Sequence, residues 1–142
     1  MISAKNLLLV AIVTIIAVSC ARLFSKGAKN DQPSAIAAFA TVGVNEFQMM
    51  IDDGVVQLLD VRTADEFNEG HIAGAVMADV NEDDFLQQAM AVLEPDRPVA
   101  VYCRSGRRSA RAASMLANQG FRVTNLDGGV LAWQDAGKDL VK

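Results

Sequence analysis

From Ala35 to the end of the chain, short apolar runs alternate with segments whose apolar residues recur at helical spacing. The short runs are residues 39–42, 55–61, 75–77, 99–102 and 121–126. Such runs are typical of strands, and parallel strands need a crossover segment, usually a helix, between them. The pattern therefore predicts an α/β fold in which helices cover a parallel sheet. A chain of 142 residues has room for one such domain and not for two.

Capping signals place several of the helices. Thr63 and Glu66 have the spacing of a capping box and predict a short helix that Gly70 ends. Asn81 is predicted to cap a helix that carries three acids, residues 82–84, in its first turn, where the helix dipole favours them. A further helix is predicted over residues 109–119.

The segment CRSGRRS, from Cys103 to Ser109, joins the predicted strand 99–102 to the helix 109–119. A loop that opens a helix directs backbone N–H groups and the positive end of the helix dipole at one sulfur atom. A free cysteine has a pKa of about 8.5, and helix N-termini and neighbouring arginines lower it. Cys103 is therefore predicted to be a reactive thiolate, and Gly106 to provide the tight turn. The alternative is a structural cysteine, since buried cysteines are common.

Charge is distributed unevenly along the chain. It has 13 basic and 17 acidic residues, a net charge of −4, which argues against a nucleic-acid partner. Between Cys103 and Leu126, however, all charged residues are arginines: Arg104, Arg107, Arg108, Arg111 and Arg122. This local excess predicts that the cysteine loop attracts small anions.

The sequence has two cysteines, Cys20 and Cys103, and one histidine, His71. Two cysteines, one of them at the end of a leader, do not indicate a disulfide framework. One histidine and one cysteine in the domain do not have the spacing of a metal site, so no metal is predicted.

Residues 1–19 have the three parts of a signal peptide: a positive start with Lys5, an apolar run over residues 7–18, and small residues up to Cys20. The apolar run is shorter than the about 20 residues that span a bilayer. A small residue before Cys20 resembles the lipobox of bacterial lipoproteins, in which the cysteine is lipidated, although Ala17 stands where leucine is usual. Ordinary cleavage after Ser19 and an uncleaved membrane anchor are the alternatives.

Each of these alternatives exports the domain or holds it at a membrane. Residues 20–36 are predicted to be a tether, because the stretch GAKNDQPS is polar and contains Pro33. The remaining residues, 37–142, are predicted to form the domain.

Three separated motifs resemble the rhodanese family. Cys103-x-x-Gly106-x-Arg108 is similar to the active-site loop of that family, and LLDVRTADEFNEGHIAGAV, residues 58–76, to its Asp-Val-Arg strand end and following turn. Residues 126–129, LDGG, with Trp133, are similar to its C-terminal element. The resemblance implies a single rhodanese-like domain with a five-stranded parallel sheet, flanked by helices on both faces.

The resemblance also implies sulfur transfer through a cysteine persulfide, without a cofactor. Cys103 would take a sulfane sulfur from an anionic donor such as thiosulfate and pass it to cyanide or a thiol. Arg104, Arg107 and Arg108 would attract the donor, and the backbone amides from Arg104 to Ser109, those of Ser105 and Gly106 included, would hold the persulfide.

Three residues outside the loop are given supporting roles. Asp60 and Arg62 are expected to brace the loop, and His71 to be a hydrogen-bonded residue of a turn rather than a general base. Arg108 would either bind the donor or pair with a carboxylate such as Asp60.

A reactive cysteine in such a loop has three alternative functions. Cysteine phosphatases and arsenate reductases have an arginine six positions after the cysteine, where this chain has Ser109. A membrane-tethered persulfide carrier or binding module that serves a protein partner is the second alternative. A thiol redox role would require a resolving cysteine, and the domain has no second cysteine.

Overall fold

The computed structural model describes residues 38–142. The predictions for the signal peptide, Cys20 and the tether lie outside this range. Within it, no helix is both long and apolar enough to cross a membrane.

Five strands and five helices alternate along the described residues. The strands are β1 Ala40–Val42, β2 Gln57–Asp60, β3 Val76–Met77, β4 Val99–Tyr102 and β5 Val123–Leu126. The helices are α1 Val44–Asp52, α2 Ala64–Glu69, α3 Phe85–Val92, α4 Arg107–Asn118 and α5 Gly129–Asp135. The predicted strands are all present, although several are shorter than their apolar runs.

The strands form one parallel sheet in the order β1-β5-β4-β2-β3. Every residue of β2 and β4 is buried, as expected for inner strands that are covered on both faces. The prediction of a five-stranded parallel sheet with helices on both faces is confirmed.

The core has two parts, one on each face of the sheet, because successive residues of a strand point to opposite faces. On one face, Leu59 and Val101 pack with residues of α3 and α4. On the other, Leu58, Ala100 and Tyr102 pack with residues of α1 and α5. The carboxyl end of β4, where Cys103 follows, therefore lies between helices of both layers.

The capping box of α2 is confirmed: the Glu66 N–H donates to Thr63 Oγ1, and the Thr63 N–H donates to Glu66 Oε2. The prediction for α3 was wrong at its start. The helix begins at Phe85, and Asn81 lies in the preceding turn, where its backbone N–H and its side-chain amide both donate to Asp79 Oδ1. The side-chain oxygen of Asn81, which a helix cap would use as acceptor, instead accepts a hydrogen bond from Arg111 Nη2 at 3.3 Å.

Candidate active site

The loop that carries Cys103 leaves β4 and enters α4 through Gly106. Gly106 has a φ of 93°, a left-handed conformation that favours glycine. A Cβ at this position would also lie 3.2 Å from the Gly128 nitrogen and 3.3 Å from the Leu126 oxygen. The tight turn lets α4 begin at Arg107, two residues earlier than predicted, so that the first turn of the helix lies directly beside the cysteine.

The Cys103 side chain is fully buried and its Sγ accepts hydrogen bonds from the loop. The Gly106 N–H donates at 3.1 Å and the Ser109 hydroxyl lies 3.3 Å away. Burial raises the pKa of the Cys103 thiol, but hydrogen bonds from the Ser109 hydroxyl and from the amides of Ser109, Ser105 and Gly106 outweigh it. The pKa is therefore below its usual value, because these donors stabilise the thiolate.

The carbonyl side of the loop is held by the start of α5. The Val130 N–H donates to the Cys103 oxygen at 2.9 Å, and the Leu131 N–H to the Arg104 oxygen at 3.2 Å. These are amides of the first helical turn, which have no partner within their own helix. Gly129 allows this close approach, since a Cβ there would lie 2.4 Å from the Cys103 oxygen. With two carbonyls bound to α5, the loop presents its amides to the sulfur.

Arg108 is bound to Glu66 of α2 and not to Asp60. Its Nη1 donates to Glu66 Oε2 at 2.8 Å and its Nη2 to Oε1 at 2.7 Å. The hydrogen bonds from Arg108 lower the pKa of Glu66 to about 2, against the effect of partial burial and with help from the Thr63 amide. Of the two alternatives for Arg108, the structure shows pairing with a carboxylate, which is Glu66 of the capping box in place of Asp60.

Asp60 and Arg62 bind each other in the core. Arg62 Nη2 lies 2.6 Å from Asp60 Oδ2 and also donates to the Gly70 oxygen at 2.7 Å. The guanidinium lies over the Tyr102 ring, 5.7 Å from its centroid. Their hydrogen bonds join β2 to the turn after α2, so they support the segment that carries Glu66 and do not contact the cysteine loop by hydrogen bonds.

His71 occupies the turn after α2, as predicted. Its Nδ1 lies 3.1 Å from the Phe67 oxygen and its ring stacks on Phe67 at 3.8 Å. Its backbone forms an antiparallel bridge with Val141. These contacts fit a structural residue.

Two cavities border the loop, one lined in part by Glu66 and the other by Arg108. The first, of about 270 Å³, is lined by Arg62, Glu66, Arg104 and Leu131, among others. The second, of about 410 Å³, is lined by Ser105, Arg107, Arg108 and Arg111. The loop arginines are thus divided: Arg104 faces one cavity and Arg107 the other.

Sequence reasoning missed two features of this site. The sequence predicts for Glu66 only the role of a helix cap. Because Glu66 and Arg108 lie in two motifs of the same family resemblance, Glu66 was also a candidate partner for Arg108. Arg111 was counted as local charge, although its position four residues after Arg107 places both on one helix face.

The fold and the loop are those of the rhodanese-like domain. A family model of that description matches residues 43–136, so the chain belongs to the rhodanese-like family. The chain is 39% identical over 103 residues to the thiosulfate sulfurtransferase GlpE of Shewanella oneidensis, covering 71% of this chain and 98% of that protein. It is 38% identical over 95 residues to a sulfurtransferase of Allochromatium vinosum, covering 66% of this chain and 86% of that protein.

Solved structures agree with this assignment. A rhodanese-related protein of Thermoplasma volcanium has a TM-score of 0.64 at 28% identity, with 72% of this chain and 98% of that chain covered. A rhodanese-like domain from Anabaena has a TM-score of 0.64 at 27% identity, with 73% of this chain and 80% of that chain covered.

Proposed function

We propose that this protein is a sulfurtransferase that moves a sulfane sulfur from an anionic donor such as thiosulfate to cyanide or a thiol, through a persulfide on Cys103. The observation that carries the proposal is the set of donors around Sγ, namely the amides of residues 105, 106 and 109 and the Ser109 hydroxyl. Relatives named as sulfurtransferases support it.

In the first half-reaction, the Cys103 thiolate attacks the outer sulfur of thiosulfate. A new S–S bond forms to Cys103, the S–S bond of thiosulfate breaks, and sulfite leaves with the electron pair. The product is a persulfide anion on Cys103, and charge is conserved.

In the second half-reaction, cyanide or a thiolate attacks the outer sulfur of the persulfide. The S–S bond breaks, Cys103 leaves as a thiolate, and thiocyanate or an acceptor persulfide is released. The donors that stabilise the thiolate also stabilise the persulfide anion, because N–H and O–H groups directed at a negative charge stabilise it, as amides do for an oxyanion.

Attraction of the anionic donor is assigned to Arg104 and Arg107. Arg108 already binds both carboxylate oxygens of Glu66, so that its charge is largely compensated. Arg104 and Arg107 are exposed, and within residues 38–142 neither forms an ion pair. They lie at the two openings beside the loop, where they raise the local concentration of anions.

The experiment is mass spectrometry of the protein after incubation with thiosulfate. We expect one added sulfur atom that is absent in Cys103→Ser, and thiocyanate when cyanide is then added. The absence of both the sulfur adduct and thiocyanate would overturn the proposal. An adduct that no small acceptor discharges would instead favour the alternative, a persulfide carrier for a sulfur-accepting protein partner.

We further propose that the domain is exported and tethered to a membrane through a lipid on Cys20. The motif around Cys20 supports this, and several acyl chains at about 0.8 kcal/mol per buried methylene would hold the protein firmly. A Cys20→Ala variant should lose the lipid and retain its leader uncleaved. If wild-type protein carries no lipid and an intact leader, an uncleaved anchor replaces this proposal.

A further inference from the structure

A third cavity is a groove at the end of the sheet where the strands begin, and we call it the amino-end groove. Its volume is about 340 Å³, and apolar side chains from α1, β2, β3 and α3 line it, among them Ile51, Leu58, Val76 and Val92. Cys103 follows β4 at the opposite end of the sheet. The amino-end groove is therefore separate from the reactive loop.

Three valines at this groove are exposed. Val76 and Val92 belong to the lining and are 37% and 45% exposed. Val55 lies between two lining residues, Gly54 and Val56, and is 60% exposed. A single exposed apolar residue is normal on a protein surface, whereas several around one concavity mark an interaction site.

The groove adjoins an open edge of the sheet. Among the described strands, β3 pairs only with β2. The Ala78 N–H donates to the Asp60 oxygen at 3.0 Å. Because backbone groups alternate sides along a strand, the N–H and carbonyl of Met77 point away from β2, as at other sheet edges. An extended segment can pair with this edge while its side chains enter the groove.

The surroundings of the groove are acidic. Four exposed acids either line it or lie next to lining residues in the sequence: Asp52, Asp53, Glu94 and Asp96. The two arginines nearby already have protein acceptors. Arg97 donates to Glu94 Oε1 at 3.0 Å and to the Val56 oxygen at 3.1 Å, and Arg122 donates to the Asp96 oxygen at 3.4 Å.

These charges decide between possible occupants. In a symmetric contact between two copies of this chain, the same four acids would face one another. An anionic lipid surface would be repelled for the same reason. A segment that carries lysine or arginine is complementary to the acids.

We propose that the amino-end groove docks an extended segment of a protein partner in which apolar and basic residues alternate. Successive side chains of a strand point to opposite faces, so alternation directs one set of side chains to the valines and the other to the acids. The backbone of the segment pairs with the open edge at Met77. The partner binds at the end of the sheet opposite Cys103, so the cysteine loop stays open while the partner is bound.

The test is fluorescence anisotropy of two labelled peptides mixed with the full-length protein. In one peptide leucine alternates with lysine, and in the other glutamate replaces lysine. We expect saturable binding of the lysine peptide and an affinity for the glutamate peptide that is at least about tenfold weaker.

The apolar contact is tested by Val92→Asn, which should weaken binding of the lysine peptide about tenfold because the buried area of one valine is lost. Met90→Asn is the matched control. Met90 lies two residues earlier on the same helix and is 49% exposed, but it does not line the groove. It should leave the affinity unchanged. If Val92→Asn does not fold, Val55→Asn provides the same test.

The charge contact is tested by Asp53→Asn, which should weaken binding of the lysine peptide about threefold. Asp83→Asn makes the same change in net charge in the turn before α3, and it should have no effect. Loading of Cys103 by thiosulfate should be normal in all these variants, since none of them touches the loop.

Equal affinities for the two peptides, or absence of binding, would overturn this inference. Equal losses in Val92→Asn and Met90→Asn would also overturn it, because the groove would then have no special role. A wild-type dimer in analytical ultracentrifugation that dissociates in Val92→Asn would show that a second copy occupies the groove, and would overturn it as well.

Discussion

Arg108 and Glu66 form a two-point ion pair that joins the cysteine loop to α2. The bond lengths are 2.8 and 2.7 Å, and about a quarter of each side chain is exposed, 27% and 26%. The pair connects two motifs that lie 42 residues apart in the sequence. The orientation of the loop therefore depends on a helix that contains none of the reacting atoms.

Removing the charge of Glu66 should destabilise the domain at neutral pH. We expect Glu66→Gln to lower the free energy of unfolding by about 2 kcal/mol, since one pKa unit corresponds to about 1.4 kcal/mol and solvent partly screens the pair. Because the pKa is depressed from 4.5 to about 2, this contribution is present above about pH 4.5 and is lost as the pH falls towards 2.

Urea unfolding at a series of pH values measures this difference. Glu69→Gln is the control, since Glu69 lies on the same helix and forms no ion pair within the described residues. A difference between wild type and Glu66→Gln that persists undiminished at the acid end would contradict the assignment.

The Ser109 hydroxyl should contribute to the acidity of Cys103. Its Oγ lies 3.3 Å from Sγ, and in Ser109→Ala the pKa of the thiol should rise because one donor to the thiolate is lost. Ultraviolet absorbance of the thiolate as a function of pH, with the signal of Cys103→Ser subtracted, measures the midpoint. Ser105→Ala is the control, since it keeps the backbone amide that donates to the sulfur. Equal midpoints in wild type and Ser109→Ala would refute this role.

Gly129 should tolerate no side chain, because of contact and not only because of its backbone conformation. A Cβ would lie 2.4 Å from the Cys103 oxygen and 2.6 Å from the Arg104 carbonyl carbon. We expect Gly129→Ala to lower the free energy of unfolding by about 3 kcal/mol and to abolish sulfur transfer, since strain and overpacking add.

The matched control for this change is Gly54→Ala. Gly54 also has a positive φ, 69° against 59° at Gly129, but a Cβ there would meet nothing within 4 Å. Gly54→Ala should lower the free energy of unfolding by about 1 kcal/mol, which is the cost of the backbone strain alone. Similar losses in the two variants, from thermal or urea unfolding, would show that the contact with the loop is unimportant.

The buried pair of Asp60 and Arg62 should be sensitive to removal of one partner. The side chains are 0% and 6% exposed, so Asp60→Asn leaves an uncompensated cation and should cost about 3 to 5 kcal/mol. The double variant Asp60→Leu/Arg62→Met should lose less unfolding free energy than either of its component single changes. Glu94→Gln, in the exposed pair with Arg97, should cost less than about 1 kcal/mol. Equal effects for Asp60→Asn and Glu94→Gln would contradict this account.

Much of the fold follows from local patterns that the sequence displays directly. The strand runs, the Thr63 capping box and the turn at Gly106 are each set by residues within a few positions of one another. The start of α3 was predicted wrongly because Asn81 is a good capping residue in isolation, whereas in the fold Arg111 binds its side-chain oxygen and Asp79 accepts from its amide and backbone N–H. Such a competition depends on how the turn lies against the sheet.

The partner of Arg108 could not be read from the sequence for a related reason. Asp60 and Glu66 are both acids near the end of β2, and only the path of the chain decides which of them faces the loop. Asp60 turns towards Arg62 in the core, and α2 brings Glu66 to the surface beside Arg108. The division of Arg104 and Arg107 between two cavities likewise requires three-dimensional placement.

The order of the strands has a consequence for a chain that emerges from the ribosome with its N-terminus first. β1 pairs only with β5, so Ala40 finds its partner Thr124 only after most of the domain has been synthesised. The amides that hold the carbonyls of the cysteine loop come later still, from Val130 and Leu131. Until they arrive, the carbonyls of Cys103 and Arg104 lack these partners. The hydrogen bonds that hold the loop are thus complete only once the C-terminal part of the domain has been made.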